Sequence, residues 1–306
     1  MEREVLEFDV QFVGAGPAGL AGAIHLANLI AQHNERAAAG NGTALPEMNI
    51  AVLEKSAEVG AHGISGAVMD PRAIRELFPD YVAKGCPIES DVTQDDIYIL
   101  FEKSAFRLPI TPPALNNHGN AIVSLGELSK WLAAQAEERG ILIATETPAQ
   151  TPLLDGSKVL GVRTGDKGID KHGNKKGTYQ PGADCMAKVT VLCEGPRGTI
   201  GKQLEKSLGL TNGKQPQNYA TGVKELLEVP AGKAQKGRVI HTMNVPLPND
   251  TFGGGFIYGL SDSLWYVGMV TGLDAKDPTS DPHGNLQKLK THPLVSALLE
   301  GGKPIA

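Results

Sequence analysis

Residues 8–30 read FDVQFVGAGPAGLAGAIHLANLI. A short apolar strand runs straight into Gly14, Gly16 and Gly19 and continues as a pattern of helical spacing. This order of elements predicts a dinucleotide cradle. Gly14 permits a tight turn, Gly16 lets the backbone approach a pyrophosphate, and Gly19 lets the helix pack on the strand. The helix N-terminus, opening with Pro17 and Ala18, then faces the phosphate charge. A second apolar strand, Asn49 to Leu53, ends in Glu54, where a carboxylate can accept from the two hydroxyls of an adenosine ribose and would repel a 2′-phosphate. FAD or NAD is therefore expected over NADP. The stretch from Gly19 to Glu54 exceeds the usual gap of about 20 residues, and the run RAAAGNGTALPE (36–47) reads as a surface insertion between helix and strand.

The chain has 306 residues, 41% hydrophobic, enough for one large or two moderate cores. With 29 basic and 34 acidic residues the net charge is −5, and no basic cluster is interleaved with aromatics, so nothing points to nucleic acid. Cys86, Cys185 and Cys193 match no metal or cluster spacing and read as reduced thiols. With the first strand so close to Met1, and without 18 consecutive apolar residues, a cytoplasmic protein or one on a cytoplasmic membrane face is expected.

Beyond Glu54, Gly60, Gly63 and Gly66 form a loop before a helix starting near Pro71. Such a loop is either plain surface or a strand of backbone running along a cofactor. Ile97–Phe101 and Phe106–Ile110 flank the turn-like EKSA and predict a β-hairpin with apolar residues on both faces. Core packing and contact with a membrane or partner both account for it. Pro109, Pro112 and Pro113 confine its return strand to an edge. A helix from Ser124, capped through Glu127, ends at Gly140. Asp155-Gly156 turns a hairpin, and DKGIDKHGNKKG (166–177) forms a longer polar turn. Lys188–Cys193 reads as a parallel strand returning to the first sheet, with Glu194-Gly195 at the end where nucleotide sheets meet their ligand. A helix follows, and from Tyr219 alternating segments predict an antiparallel sheet.

GAGPAGL, EKSAEVGAHGISGAVMDP, LFPDY, NNHGN, KVTVLCEGPRG, HTMNVPL, GGGFIYGL, GLDAKDP and HPLVSALLEGGKPIA, in this order, resemble the electron transfer flavoprotein-ubiquinone oxidoreductase family over essentially the whole chain. The resemblance implies an α/β fold, with a Rossmann-like FAD-binding domain of the glutathione-reductase type over 1–97 and 116–210. It also implies a membrane-dipping hairpin over 98–115 and the start of an α+β ubiquinone-binding domain with an antiparallel sheet over 211–306. Family members continue past the position of Ala306, so a truncated chain without the C-terminal 4Fe-4S domain, inactive alone, is expected.

Carried over by position, the resemblance assigns FAD to Gly14, Gly16, Pro17, Ala18, Gly19, Glu54, Lys55, His62, Ser65, Gly66, Glu194 and Gly195. It assigns quinone to Gly253 and Gly254, for which a glycine bulge is the structural alternative. The membrane is assigned to Tyr98, Ile99, Leu100, Phe101, Phe106, Leu108 and Ile110. The implied enzyme is an electron-transferring-flavoprotein dehydrogenase, monotopic on the cytoplasmic face of a bacterial inner membrane or the matrix face in mitochondria. It would take electrons from reduced electron transfer flavoprotein and deliver them to ubiquinone, with His118 and His241 as candidate proton donors. The alternatives are an FAD reductase or oxygenase of the geranylgeranyl reductase type, and an inactive nucleotide-binding fragment.

Overall fold

A computed structural model describes residues 3–63 and 66–306. The chain passes twice through each of two compact units, Met1–Gly63 with Gly126–Gln215 and Ile64–Leu125 with Pro216–Ala306. The first pass lays down β1 (Val5–Val13), α1 (Pro17–Ala38) and β2 (Ile50–Leu53). The second gives β3 (Gly66–Met69), α2 (Arg72–Leu77), β4 (Ile88–Asp91), β5 (Gln94–Leu100), β6 (Ala105–Arg107) and β7 (Ala121–Ser124). The third comprises α3 (Leu125–Glu137), β8 (Leu142–Ala144), β9 (Ala149–Asp155), β10 (Lys158–Thr164), the small pair β11 (Lys167–Ile169) and β12 (Lys175–Gln180), β13 (Asp184–Leu192) and α4 (Thr199–Leu208). The last holds β14 (Ala220–Glu228), β15 (Arg238–Asn244), β16 (Gly253–Gly259), β17 (Leu264–Gly272), α5 (Pro282–Thr291), α6 (Pro293–Leu298) and β18 (Lys303–Pro304).

The first unit is built on a six-stranded sheet in the order β8-β2-β1-β13-β10-β9. β8, β2, β1 and β13 run parallel, and the β9–β10 hairpin adds antiparallel strands. The C-terminal half of β1 is buried, as expected of a central strand covered on both faces. Val13, Leu53, Val162, Cys185, Ile200 and Leu204 form one core cluster. α1 ends at Ala38, so the helix takes in the first residues of the inserted run; the rest is an exposed loop tied back by Asn34 to Leu45. Gly140 sits at φ +75° after α3 and closes that helix through Glu137 O.

The second unit holds a seven-stranded sheet in the order β18-β14-β17-β16-β15-β5-β6. α5 and α6 cover one face through Leu286, Leu289, Val295 and Leu299, packed on Leu100, Ile240, Ile257, Trp265, Val267 and Met269. Each such side chain contributes roughly 1.5–3 kcal/mol by leaving water. The three-stranded sheet β3-β7-β4 covers part of the other face, where Val92 and Ile122 meet Val239, Tyr258 and Tyr266.

These contacts draw the boundary differently from the sequence reading, which put 1–97 and 116–210 together. Residues 64–125 join the second unit because β5 pairs in parallel with β15 through seven registered positions, Gln94–Leu100 against Arg238–Asn244. The hairpin expected at 98–115 is therefore the edge of that sheet.

Candidate functional site

β1 passes to α1 through Gly14, whose φ of +109° is open to glycine and strained for other residues. A Cβ there would lie 2.4 Å from Cys193 O, and one on Gly19 would lie 2.0 Å from Gly14 O. Both glycines are thus required by packing of strand, turn and helix. Gly16, the N-cap of α1, is different: a Cβ built on it meets nothing within 4 Å. Pro17 and Ala18 open the helix on the exposed side. A tight turn beneath open space at a helix N-terminus is what an approaching phosphate requires.

The turn lies where strand order reverses, since β1 leads on to β2 on one side and has β13 on the other. Ligands of open α/β sheets bind at the carboxyl ends of such strands. Glu54, just past β2, reaches this turn: Oε2 accepts from Ala15 N–H at 3.0 Å, while Oε1 accepts from Ser56 N–H and Ser56 Oγ, both at 2.8 Å. Of its roughly four lone-pair positions, three are filled within the chain. Glu54 therefore clamps the glycine turn and keeps capacity for a hydroxyl. Ser56, which sequence reasoning missed, also holds His62 through an Oγ–Nδ1 contact of 2.7 Å. Lys55 and His62 are exposed. Ser65 lies outside the described residues, and Gly66 opens β3 in the second unit.

The Glu194 side chain has another use. Its carboxylate accepts from the backbone N–H groups of Thr199, Ile200 and Gly201 at 2.9–3.1 Å, capping α4. What this position offers the turn is backbone: Glu194 N stands 3.3 Å from the Cβ position of Gly14, and Gly195, at φ +79°, has open space beside it. The acid was legible as a strand-end residue; its carboxylate reaches the start of α4 from four residues before the N-cap Gly198.

In the second unit, Gly253 and Gly254 begin β16. A Cβ on Gly253 would strike Val270 O at 2.1 Å and one on Gly254 would strike Thr242 O at 2.1 Å, so sheet packing alone demands both. Register places Gly254 in a row across one sheet face: Phe106 opposite Ile99, Ile99 opposite Met243, Gly254 beside Met243 and opposite Val270, and Val270 opposite Gly222. This row is apolar from end to end, with Phe106 and Met243 exposed.

The hairpin residues divide by strand alternation. Phe101, Phe106 and Ile110 are 49%, 54% and 79% exposed, and Ile99 and Leu108 are partly so. Leu100 and Tyr98 do not share that face. Leu100 is fully buried in the core and Tyr98 packs against it, so these two of the residues expected at a membrane are held on the core side of the strand. Behind them, Asp96 has no side-chain exposure and binds Arg238 at 2.7 Å and Arg107 at 2.5 Å, joining β5, β15 and β6.

His241 lies one row from Gly254, with Nε2 2.9 Å from Tyr258 Oη and Nδ1 buried without a partner among the described residues. Burial holds its pKa below the ordinary 6.5, against a smaller opposing effect of Asp95, and raises that of the Tyr258 phenol. His118 is exposed in the NNHGN turn, which Asn117 pins to Asp95 with a 2.7 Å backbone hydrogen bond. Burial pushes the thiols of Cys86 and Cys185 up to about 11, so they are protonated at neutral pH. Among the described residues no three His, Cys, Asp or Glu converge as metal ligands, and no helix is long and apolar enough to cross a membrane.

Residues 219–306 match the family model for the ubiquinone-binding region of ETF-QO. The whole chain is 43% identical to electron transfer flavoprotein-ubiquinone oxidoreductase of Pseudomonas aeruginosa, covering 54% of it. It is likewise 43% identical to the mitochondrial protein of Bos taurus, covering 48%, and 41% identical to that of Homo sapiens. The chain thus spans about half the length of these relatives, and the resemblance read from its motifs is borne out. Among solved structures, a geranylgeranyl bacteriochlorophyll reductase-like protein of Thermoplasma acidophilum superposes with a TM-score of 0.66 at 16% identity, covering 99% of this chain and 65% of that one. The FAD-dependent halogenase CndH gives 0.61, also at 16% identity, over 98% and 61%. These likenesses establish the fold: a Rossmann-like α/β unit accompanied by one with a largely antiparallel sheet.

Proposed function

We infer that the chain is the FAD- and quinone-handling half of an electron transfer flavoprotein-ubiquinone oxidoreductase, and that its own residues bind cofactor and quinone for electron relay between them. The observation that carries the reading is the open ground over Gly16 between two glycines that packing makes obligatory. The cradle fits a dinucleotide. Gly14, Gly16 and Gly19 would bring backbone to the pyrophosphate, Ala18 would present a helix-start N–H, and Glu54 would accept from the ribose. Bound FAD would supply the ability to take up electrons singly and release them in pairs.

Quinone, the acceptor in this reading, would lie along the apolar row through Gly254. Gly253 and Gly254 add no side chain to that row, and Phe106, Ile99, Met243 and Val270 would offer contact for an isoprenoid tail. Phe101, Phe106 and Ile110 would enter one membrane leaflet as a monotopic anchor, on the cytoplasmic or matrix face. A 4Fe-4S cluster does not fit this chain by itself: four thiolates are required, the sequence has three cysteines, and two of those thiols are held protonated by burial.

The test is reconstitution with FAD followed by gel filtration, then titration with a short-chain ubiquinone analogue. Retained flavin absorbance, reducible by reduced electron transfer flavoprotein, is expected, with quinone binding weakened by Met243→Ser at the exposed end of the row. A protein that elutes colourless after FAD addition would overturn the flavin reading. One whose flavin is reduced by NAD(P)H without the partner flavoprotein would belong with the geranylgeranyl reductase type instead.

A further inference from the structure

Within the first unit, the side chains of Glu54, Ser56 and His62 form a run in which every proton has one place to be. Glu54 and Ser56 leave β2 on a segment pinned to the β8–β9 turn. Glu54 N–H donates to Ala144 O at 2.8 Å, Thr147 N–H to Glu54 O at 2.7 Å and Glu146 N–H to Ser56 O at 2.8 Å. Further on, Gly60 at φ +86° turns the chain against α3, so tightly that a Cβ there would lie 2.3 Å from Gly126 O. Gly63 N–H closes this turn on Gly60 O at 2.8 Å. The turn brings His62 back to Ser56, Nδ1 to Oγ at 2.7 Å, while Oγ also lies 2.8 Å from Glu54 Oε1.

An ionised carboxylate only accepts, and a serine hydroxyl has one proton to give. That proton goes to Glu54, because a hydroxyl aimed at His62 would set oxygen lone pairs against each other at 2.8 Å. Ser56 Oγ therefore accepts from His62 Nδ1–H, which leaves Nε2 of the neutral ring as an acceptor. His62 is exposed, so a ligand can reach that acceptor. On Glu54 the two oxygens differ. Oε1 is filled twice, by the N–H and the hydroxyl of Ser56, whereas Oε2 takes one bond from Ala15 N–H of the glycine turn.

We propose that Ser56 is a positioning residue for nucleotide recognition: by donating to Glu54 and accepting from His62, its hydroxyl presets the rim of the cradle as two acceptors, Glu54 Oε2 and His62 Nε2, for a vicinal diol. The inference rests on the dinucleotide reading above. A ribose offers two O–H donors, and the filled oxygen of Glu54 has no room for the second. Holding the tautomer of an imidazole through the bond made by its other nitrogen is the way its ligand-facing atom is fixed in general.

The experiment uses the full chain with Ser56→Ala and Ser56→Thr. Nitrogen NMR of the histidine rings at about pH 8.5, where an ordinary histidine is neutral, should show His62 as the Nδ1–H tautomer in wild type and Ser56→Thr. His62→Gln assigns the signal by its absence, and Ser56→Ala should move it to the Nε2–H form. Calorimetric titration then compares ADP, which carries the diol without the flavin, with 2′,3′-dideoxy-ADP. Ser56→Ala should lower ADP affinity about 3- to 10-fold, the worth of one hydrogen bond, and leave the dideoxy affinity unchanged, while Ser56→Thr binds both as wild type does. An Nε2–H His62 in wild type, or unaltered ADP affinity in Ser56→Ala, would overturn the proposal. So would an equal loss for both nucleotides, which would make Ser56 a support of the loop alone. A wild-type chain that binds neither nucleotide would instead remove the cradle reading on which the proposal stands.

Discussion

Gly14→Ala and Gly16→Ala should fail in opposite ways, although the two residues are neighbours in one motif. At Gly14 an added methyl would sit 2.4 Å from Cys193 O with φ at +109°. Strained backbone costs on the order of 1–3 kcal/mol and overpacking a similar amount, so the substitution should remove roughly 2–5 kcal/mol. At about 2–4 °C per kcal/mol for a domain of this size, the unliganded Tm should fall by about 4–20 °C. At Gly16 φ is −78° and the methyl meets nothing. The poorer N-cap should cost less than about 1 kcal/mol. FAD affinity should nevertheless drop about 10- to 100-fold, or ~1.4–2.8 kcal/mol, because the methyl occupies the phosphate approach. Thermal unfolding by circular dichroism and FAD titration by fluorescence quenching separate the two effects. Unimpaired FAD binding by Gly16→Ala, with its fold intact, would refute the cradle.

Other expectations follow from the second unit. Arg238→Met leaves Asp96 buried with less compensation and should destabilise the chain by roughly 3 kcal/mol in urea unfolding; a loss under ~0.5 kcal/mol would show that the cluster is not cooperative. Burial depresses the His241 pKa below 6.5, so the unfolded chain binds that proton more readily: the stabilisation is complete above pH 6.5 and fades as pH falls through the folded value. Stability of His241→Gln should therefore vary less with pH below 6.5 than wild type, and parallel curves would contradict this. Combined Phe101→Ser, Phe106→Ser and Ile110→Ser should abolish co-sedimentation with anionic vesicles while leaving stability within about 1 kcal/mol. Leu100→Ser, one residue from the first of these, should instead cost about 3 kcal/mol.

The first unit was legible because its signals are local. Val10 to Val13, the glycine spacing and Glu54 each act within one βαβ element, and the second half of β13 was readable in the near-continuous apolar run Lys188–Cys193. The β9–β10 turn at Asp155-Gly156 follows directly from glycine at φ +58°. What escaped sequence reasoning is register across distance. Nothing near Tyr98 says that Arg238 donates to its neighbour Asp96, 142 residues on, and this pairing decides that Leu100 faces inward. Glu194 shows a second limit, since one carboxylate at a strand end can serve ligand or helix, and only the geometry of α4 decides.

The order in which the parts of the first sheet leave the ribosome carries a consequence for biogenesis. β1 is synthesised first, yet its neighbour β13 arrives late: Gln11 waits for Thr190, 179 residues downstream. At roughly 5–20 residues per second, the apolar half of β1 stands with one edge unpaired for about 10–40 s, during which all of β3–β7 emerges. Nascent chains of this protein should therefore engage chaperones that shield strand edges, and slowing translation between residues 13 and 184 should raise the insoluble fraction without altering a single residue.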